Sequence, residues 1–196
     1  MKLIVGLGNP GVLYRRTRHN TGYIIIDNFV KILNLNFSSG KEEYVFSKGK
    51  IDNQYFYLMK PLTFMNNSGE AVYDFINKYE IDIKDLLIIF DDFNLPLGTI
   101  RVRERGTDGG HNGMENLIYN LNTTNFARMK VGIGTNNKKL KKEDYIKYVL
   151  SKFPDEELTK LKSILPNCSE CLMSFLTEDI KTTMNKFNKN FLNNNI

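Results

Sequence analysis

The order of apolar and polar positions along the chain predicts alternating strands and helices. A short apolar run at residues 3–7 ends in glycine-rich sequence, which is typical of a buried strand followed by a functional loop, here residues 8–20. The next apolar positions recur at helical spacing: Tyr23, Ile26, Val30 and Leu33. Asn20 or Thr21 is in place to cap the start of this helix.

The same alternation continues to the end of the chain. It predicts strands at residues 44–51, 54–59, 86–90, 99–104 and 126–133, and helices at 68–79, 114–121 and over most of the chain from 144. Ser68 is expected to cap the helix that it begins. We predict an α/β fold: a single three-layer domain over residues 1–196, with a central mixed, mostly parallel sheet flanked by helices. Residues 185–196, rich in Asn and Lys, are expected to fray.

Composition narrows the class of protein. The chain has 196 residues, 41% hydrophobic and 12% aromatic, which supplies one core without disulfide or metal staples. No apolar run approaches the roughly 20 residues that cross a bilayer, and residues 1–6 reach glycine too soon for a signal-peptide core. We therefore expect a cytoplasmic protein that does not bind membranes. A formal charge of +5 makes a polyanionic partner plausible.

Cys168 and Cys171 form a C-x-x-C pattern, which occurs in redox sites and in zinc sites. Here the two cysteines continue the apolar spacing of Leu161, Ile164 and Leu165 toward Leu172 and Phe175. We predict that they are packed inside a buried helix.

Both histidines of the chain lie in polar, glycine-bearing segments, residues 18–22 and 109–113, which are unlike the surroundings of a core histidine. Histidine has an unperturbed pKa of about 6.5, which suits proton transfer near neutrality. Asp91 and Asp92 follow the apolar run 86–90, at the sheet edge where open α/β folds place their sites, and a carboxylate there can orient a histidine. The alternative is that the two aspartates cap a turn with Asn94.

Three asparagines, Asn9, Asn66 and Asn112, stand beside turn or helix-start signals. An amide side chain both donates to a carbonyl oxygen and accepts from a peptide N–H, so a peptide backbone is its natural ligand. Each asparagine taken alone also fits a helix cap or a surface position.

Residues 6–11 match the dinucleotide fingerprint G-x-G-x-x-G after a strand. That fingerprint requires a helix to open at the glycines, whereas Pro10 and the polar residues 15–18 continue a loop. No second strand ending in an acidic residue follows about 20 residues later, so the sequence argues against a dinucleotide site.

Basic residues form two candidate phosphate-binding groups. Strand alternation places Arg101, Arg103 and Arg105 on one face, shortly before His111. The second group consists of Lys138, Lys139, Lys141 and Lys142, for which a solvated surface is the alternative.

Several ordered blocks of the chain, taken together, closely resemble the bacterial peptidyl-tRNA hydrolase family. These blocks are residues 5–11 with Tyr14, 17–20, 60–66, 91–92, 109–113, 126–134 and 148–153. The resemblance implies a monomeric α/β enzyme, without metal or other cofactor and without an obligate protein partner. It implies that the substrate is peptidyl-tRNA, from which the enzyme releases the peptide.

The resemblance also assigns roles to individual residues. His19 would activate water and Asp91 would steady its imidazole, while Asn9, Asn66 and Asn112 would hold the peptide and the tRNA end. The further candidates for contacts with the substrate are Tyr14, Phe64, Met65, His111, Arg101, Arg103 and Lys130. Three positions depart from the commoner family pattern: Asn94 stands where Asp is usual, Asp108 precedes Gly-Gly-His, and Lys130 replaces a frequent Arg.

Elementary chemistry agrees with this assignment. Ester hydrolysis needs an activated water and donors for the developing oxyanion, which His, Asp and Asn supply. We also expect the Asn9 oxygen to accept from a peptide N–H, and to select against a charged ammonium, whose burial is costly. The alternative function is a non-catalytic RNA-binding protein on the same scaffold, against which the presence of His19 and Asp91 argues.

Overall fold

A computed structural model describes residues 1–38, 43–134 and 144–193, which are built around a seven-stranded sheet. The strands are β1 Lys2–Gly6, β2 Tyr44–Ile51, β3 Gln54–Pro61, β4 Leu86–Pro96, β5 Thr99–Arg103, β6 Ala127–Gly134 and β7 Lys189–Asn190. Their order across the sheet is β2-β3-β1-β4-β6-β5-β7. The four central strands, β3, β1, β4 and β6, are parallel, and the outer three pair antiparallel. The predicted mixed sheet is confirmed.

Helices cover both faces of this sheet. They are α1 Thr21–Ile32, α2 Ser68–Lys78, α3 Asn112–Leu121, α4 Tyr145–Leu150, α5 Asp155–Ser163, α6 Leu165–Thr177 and α7 Ile180–Phe187. One hydrophobic cluster joins the sheet to α1, α5, α6 and α7, and a second joins it to α2 and α3. Side chains alternate between these clusters along a strand, so Ile4 lies in the first while Leu3 and Val5 lie in the second. Burial on both faces explains the continuous apolar runs of the central strands.

The parallel centre brings the end of β1 beside the end of β4. Gly6 pairs with Ile89, so the loop after β1 emerges next to Asp91. Gly22, in the first turn of α1, fits against both strands: a Cβ there would lie 2.5 Å from the Ile89 oxygen and from Leu7. A residue without a side chain therefore lets the His19 loop approach the carboxyl edge of the sheet closely.

Strand β4 is longer than its apolar run predicts. Asp91 and Asp92 lie within the strand, where they pair with Val131 and Gly132 of β6. The turn-capping alternative holds for Asp92, whose Oδ1 accepts from the Asn94 N–H at 2.8 Å. It does not describe Asp91, which is buried.

The two helix caps expected from the sequence are wrong in detail. Asn20 occupies the N-cap position of α1 but makes no side-chain capping bond. Ser68 is the first residue of α2 and donates backward to the Met65 carbonyl oxygen. Both side chains instead organise the loops that precede their helices.

Cys168 and Cys171 are buried in α6, as predicted, and burial raises the pKa of the Cys168 thiol to about 12.

The predicted fraying is wrong for residues 185–193, and residues 194–196 lie outside the described part. Phe187 is buried, and β7 pairs with Thr99 and Ile100 of β5. Amide side chains hold this segment, since Asn188 bonds both backbone groups of Val102. Within the described residues, no helix has the length and apolar character to cross a membrane.

Candidate active site

His19 and Asp91 form a buried pair at the carboxyl edge of the sheet. His19 lies on the short 3-10 turn Arg18–Asn20 that precedes α1, and Asp91 lies in β4. His19 Nδ1 is 2.9 Å from Asp91 Oδ1 and 3.1 Å from Oδ2. A hydrogen on Nδ1 donates to the carboxylate, so in the neutral ring Nε2 carries the lone pair. The structure thus brings together the two residues proposed as base and partner.

His111 approaches Asp91 as a second donor. Its Nε2 is 3.3 Å from Asp91 Oδ1, and its Nδ1 accepts from the Met114 N–H at 3.2 Å as the N-cap of α3. Both ring nitrogens are therefore engaged by the protein, which differs from the predicted contact with substrate. Both histidines are nearly buried, 7% and 8% exposed, although their sequence surroundings do not resemble those of core histidines.

Burial and charge act in opposite directions on these three groups. Burial favours neutral Asp91, but His19 and the two histidine hydrogen bonds outweigh it and hold the pKa of Asp91 well below its usual range. For His19, burial lowers the pKa, yet the Asp91 charge and hydrogen bond leave it raised overall. Burial dominates for His111 and lowers its pKa. The result is an ionised carboxylate that strengthens His19 as a base while His111 stays neutral.

His19, Asp91 and His111 have the ligand types of a metal site, with candidate ligand atoms within 4.8 Å of one another. The hydrogen bonding argues for a different use. Because the Met114 N–H occupies the lone pair of His111 Nδ1, the ring hydrogen sits on Nε2 and points at Asp91. A metal between these groups would need that same nitrogen as a ligand, so the arrangement is better suited to holding protons.

Asn9 presents a different atom from the one expected. Its Oδ1 accepts from the Met65 N–H at 2.8 Å, whereas the prediction gave this oxygen to a substrate peptide. Its Nδ2 has no hydrogen-bond partner among residues 1–38, 43–134 and 144–193, and Asn9 lines a groove of about 530 Å³ with Val12 and Tyr23. The amide is therefore available as a donor rather than as an acceptor.

Asn66 and Asn112 are exposed on neighbouring turns. Asn66 lies in the 3-10 turn Met65–Asn67, and Asn112 is the first residue of α3. These turns touch: a Cβ on Gly113 would lie 2.6 Å from Met65 Sδ. Met65 itself is 4% exposed, so it supports the turn rather than presenting the broad contact surface predicted for it.

Aromatic and apolar side chains lie on the candidate loops and in the cleft. The rings of Tyr14 and Phe64 meet edge to face with centroids 6.2 Å apart, and Phe64 is exposed. A cleft lined by His19 and Asp91 is bounded by Tyr145 and Ile146 at the α4 end. The cleft residues offer apolar contacts beside the polar pair of His19 and Asp91.

The basic residues predicted to contact the substrate differ in their exposure and in their charge partners. Arg101 is exposed on β5 and Arg103 is half-buried. Lys130 on β6 pairs with Arg101 in register, but its Nζ is 3.0 Å from Asp92 Oδ2, so its charge is already compensated. The lysine group at 138–142 lies outside the described residues.

Two arginines that the sequence analysis missed hold the loops of the site. Arg18 bonds Glu157 Oε2 at 2.7 Å and stacks on the Tyr148 ring, which ties the His19 turn to α4 and α5. Arg128, fully buried in β6, donates to the carbonyl oxygens of Thr107 and Thr124. Burial lowers its pKa to about 10. The sequence did contain a signal for Arg128, because it is a charged residue inside an otherwise apolar predicted strand.

Asp108 organises the turn before His111. Gly109 and Gly110 have φ of 62° and 80°, a region that favours glycine. Asp108 Oδ2 accepts from the Gly110 N–H at 2.7 Å. The aspartate therefore stabilises the turn that delivers His111.

Comparisons with known proteins identify the family and the fold. Residues 3–195 match the family model described as peptidyl-tRNA hydrolase. A peptidyl-tRNA hydrolase of Halalkalibacterium halodurans is 40% identical over 96% of this chain and 100% of its own, and one of Clostridium botulinum is 42% identical over 96% of both. The crystal structure of peptidyl-tRNA hydrolase from Acinetobacter baumannii superposes with a TM-score of 0.88 at 30% identity, covering 96% of this chain and 94% of that one. The chain belongs to the peptidyl-tRNA hydrolase family.

Proposed function

We propose that this protein hydrolyses the ester bond between a peptide and the 3′ end of its tRNA, with His19 as general base. The observation that carries the proposal is the buried contact between His19 Nδ1 and Asp91 Oδ1 at 2.9 Å. It leaves Nε2 of a cleft-lining histidine as the basic nitrogen. Family membership supplies the substrate class.

The reaction follows from these groups. His19 Nε2 takes a proton from a water molecule, whose oxygen attacks the ester carbonyl carbon. Asp91 stabilises the imidazolium that forms, as an ionised partner of Nδ1–H. The tetrahedral intermediate then collapses, the bond to the ribose oxygen breaks, and the imidazolium returns its proton to that oxygen. The products are a peptide carboxylic acid and a tRNA with a free 3′-terminal hydroxyl.

Amide donors complete the proposed site. Asn9 Nδ2 is without a partner among the described residues, and Asn66 and Asn112 are exposed nearby. We assign them to the carbonyl oxygens of the peptide and to the tRNA end, where donors stabilise developing negative charge.

Arg101 and Arg103 are assigned to tRNA phosphates, in keeping with the formal charge of +5. Translation supplies such a substrate in the cytoplasm, where we propose that the protein acts as a monomer.

Hydrolysis of N-acetylated aminoacyl-tRNA by the parent and by His19→Ala tests this function. The variant should lose about 10²- to 10⁴-fold in kcat, the usual contribution of a general base, and keep its affinity for tRNA. His111→Asn is the comparison variant: Asn can still cap α3, but Asp91 loses one hydrogen-bond donor, so a smaller fall in kcat than in His19→Ala is expected. Near-normal turnover by His19→Ala would remove His19 from this role. A parent that binds tRNA without cleaving it would favour the non-catalytic alternative.

A further inference from the structure

The side chain of Asn20 holds the backbone of Asn9 at two points. Its Oδ1 accepts from the Asn9 N–H at 2.9 Å, and its Nδ2 donates to the Asn9 carbonyl oxygen at 2.9 Å. Asn20 is 2% exposed, so both bonds lie away from water, where hydrogen bonds are electrostatically stronger. Two bonds to one residue fix its orientation as well as its position.

The connection continues from Asn9 to a third loop. Asn9 Oδ1 accepts from the Met65 N–H, and Met65 directly precedes Asn66. Asn20 in turn directly follows His19. Buried hydrogen bonds thus link the turn that carries the base to the two loops that carry Asn9 and Asn66.

Helix capping does not explain this asparagine. An N-cap side chain ordinarily accepts from an N–H of the first helical turn, and Asn20 makes no such bond. Both polar atoms of its amide face Asn9 instead, with the Thr17 hydroxyl 3.5 Å from Oδ1. The side chain therefore serves the loop after β1 rather than α1.

We propose that Asn20 is a positioning residue, which sets the place of Asn9, and through it the Met65–Asn67 turn, relative to His19. This inference rests on the proposed function, because it gives Asn9 and His19 their roles in hydrolysis. Asn20 acts through Asn9, so its contribution exists only while the Asn9 side chain is present. General-base catalysis is sensitive to such placement, since reacting groups must meet at near-attack distances.

A double-mutant cycle between Asn20→Ala and Asn9→Ala tests the proposal with N-acetylated aminoacyl-tRNA. Asn20→Ala in the parent should lower kcat roughly 10- to 100-fold, with a smaller change in KM, because displaced groups weaken mainly the interactions made in the transition state. In the Asn9→Ala background, the same substitution should change kcat by less than about twofold. The acid limb of the rate profile should stay in place, since the Asn20 side chain bonds the Asn9 backbone rather than His19 or Asp91.

Two further variants separate positioning from folding. Asn20→Asp keeps the shape and the acceptor for the Asn9 N–H but removes the donor to the Asn9 carbonyl, so it should also lower kcat only when Asn9 is present. Asn188 makes the same pair of bonds to Val102, at 2.6 and 3.2 Å, in a different part of the fold. Asn188→Ala should lower the thermal midpoint to a similar extent and keep kcat within about twofold of the parent.

Equal fold-losses from Asn20→Ala with and without the Asn9 side chain would overturn the proposal and assign Asn20 a general structural role. Parental kcat in Asn20→Ala and Asn20→Asp would overturn it as well. Either result leaves the proposed hydrolase standing, as long as the parent cleaves the substrate. A parent without activity overturns the function and the positioning role together.

Discussion

At the scale of single residues, sequence patterns identified side chains that meet at one edge of the sheet, but not the atoms that each makes available. Asn9 illustrates the difference: its oxygen was expected to face a peptide, and it is bound to the Met65 N–H. His111 was expected to contact substrate, and both its nitrogens are engaged by Asp91 and Met114. Such assignments depend on contacts between distant segments, which local sequence does not encode.

Asn9→Asp tests whether the donor of Asn9 is the functional atom. Aspartate retains an oxygen for the Met65 N–H but cannot donate from the other position. We expect kcat on N-acetylated aminoacyl-tRNA to fall by at least about tenfold, since a charge-assisted hydrogen bond contributes about 1.5–3 kcal/mol and each 1.4 kcal/mol is tenfold. Single-turnover kinetics measures the step directly. Parental rates in this variant would show that the Asn9 oxygen alone is sufficient.

At the scale of elements, apolar periodicity predicted the strands and helices, but polar segments departed from prediction. The run 86–90 marked β4, yet the strand extends to Pro96 because β6 pairs with its polar continuation. The segment from 185 lacked an apolar pattern, yet Asn188 and Asn190 bind the edge formed by β5. Backbone pairing and amide hydrogen bonds determine these elements, and neither leaves a periodic signal in the sequence.

Packing between elements also positions the turn that carries His19. Arg18 joins the His19 turn to the C-terminal helices through Glu157 and the Tyr148 ring. The sequence showed Arg18 only as part of a polar loop, because its partners lie more than 100 positions away. Such distant contacts explain why the sequence predicts the functional loop around His19 but not the contacts of Arg18 that hold it in place.

At the scale of the whole molecule, alternating strands and helices were sufficient to predict the α/β class and a central mixed sheet. The same pattern does not predict the order of the strands in the sheet, since that order depends on which elements pair across the fold. Charge is also a property of the whole molecule, and its distribution bears on tRNA binding. Arg101 and Arg103 lie on β5, near one edge of the sheet, whereas Lys48 and Lys50 lie on β2 at the opposite edge.

Replacing Arg101 and Arg103 by Gln should therefore weaken tRNA binding more than replacing Lys48 and Lys50 by Gln, although both changes remove two charges. The slope of log K against log salt should flatten by about 0.7 to 0.9 for each phosphate that the variant no longer neutralises. Fluorescence anisotropy across a salt series measures both slopes. Identical slopes for the two double variants would place the tRNA path elsewhere on the surface.

The central claim is that ionised Asp91 makes His19 the base, and the pH dependence of kcat for the parent and for Asp91→Asn tests it most directly. Hydrolysis requires neutral His19, so the rate rises with pH through its pKa. Asp91 raises that pKa against the effect of burial, so the acid limb of the parent should lie above the ordinary histidine value of about 6.5.

Asp91→Asn keeps the shape of the side chain and removes its charge. Burial then acts on His19 without an opposing carboxylate, so its pKa falls and the acid limb should move to lower pH. The plateau should drop by about 10²- to 10⁴-fold, because the imidazolium loses its partner and the ring loses its fixed tautomer. A variant with the plateau and acid limb of the parent would contradict the pairing of Asp91 with His19.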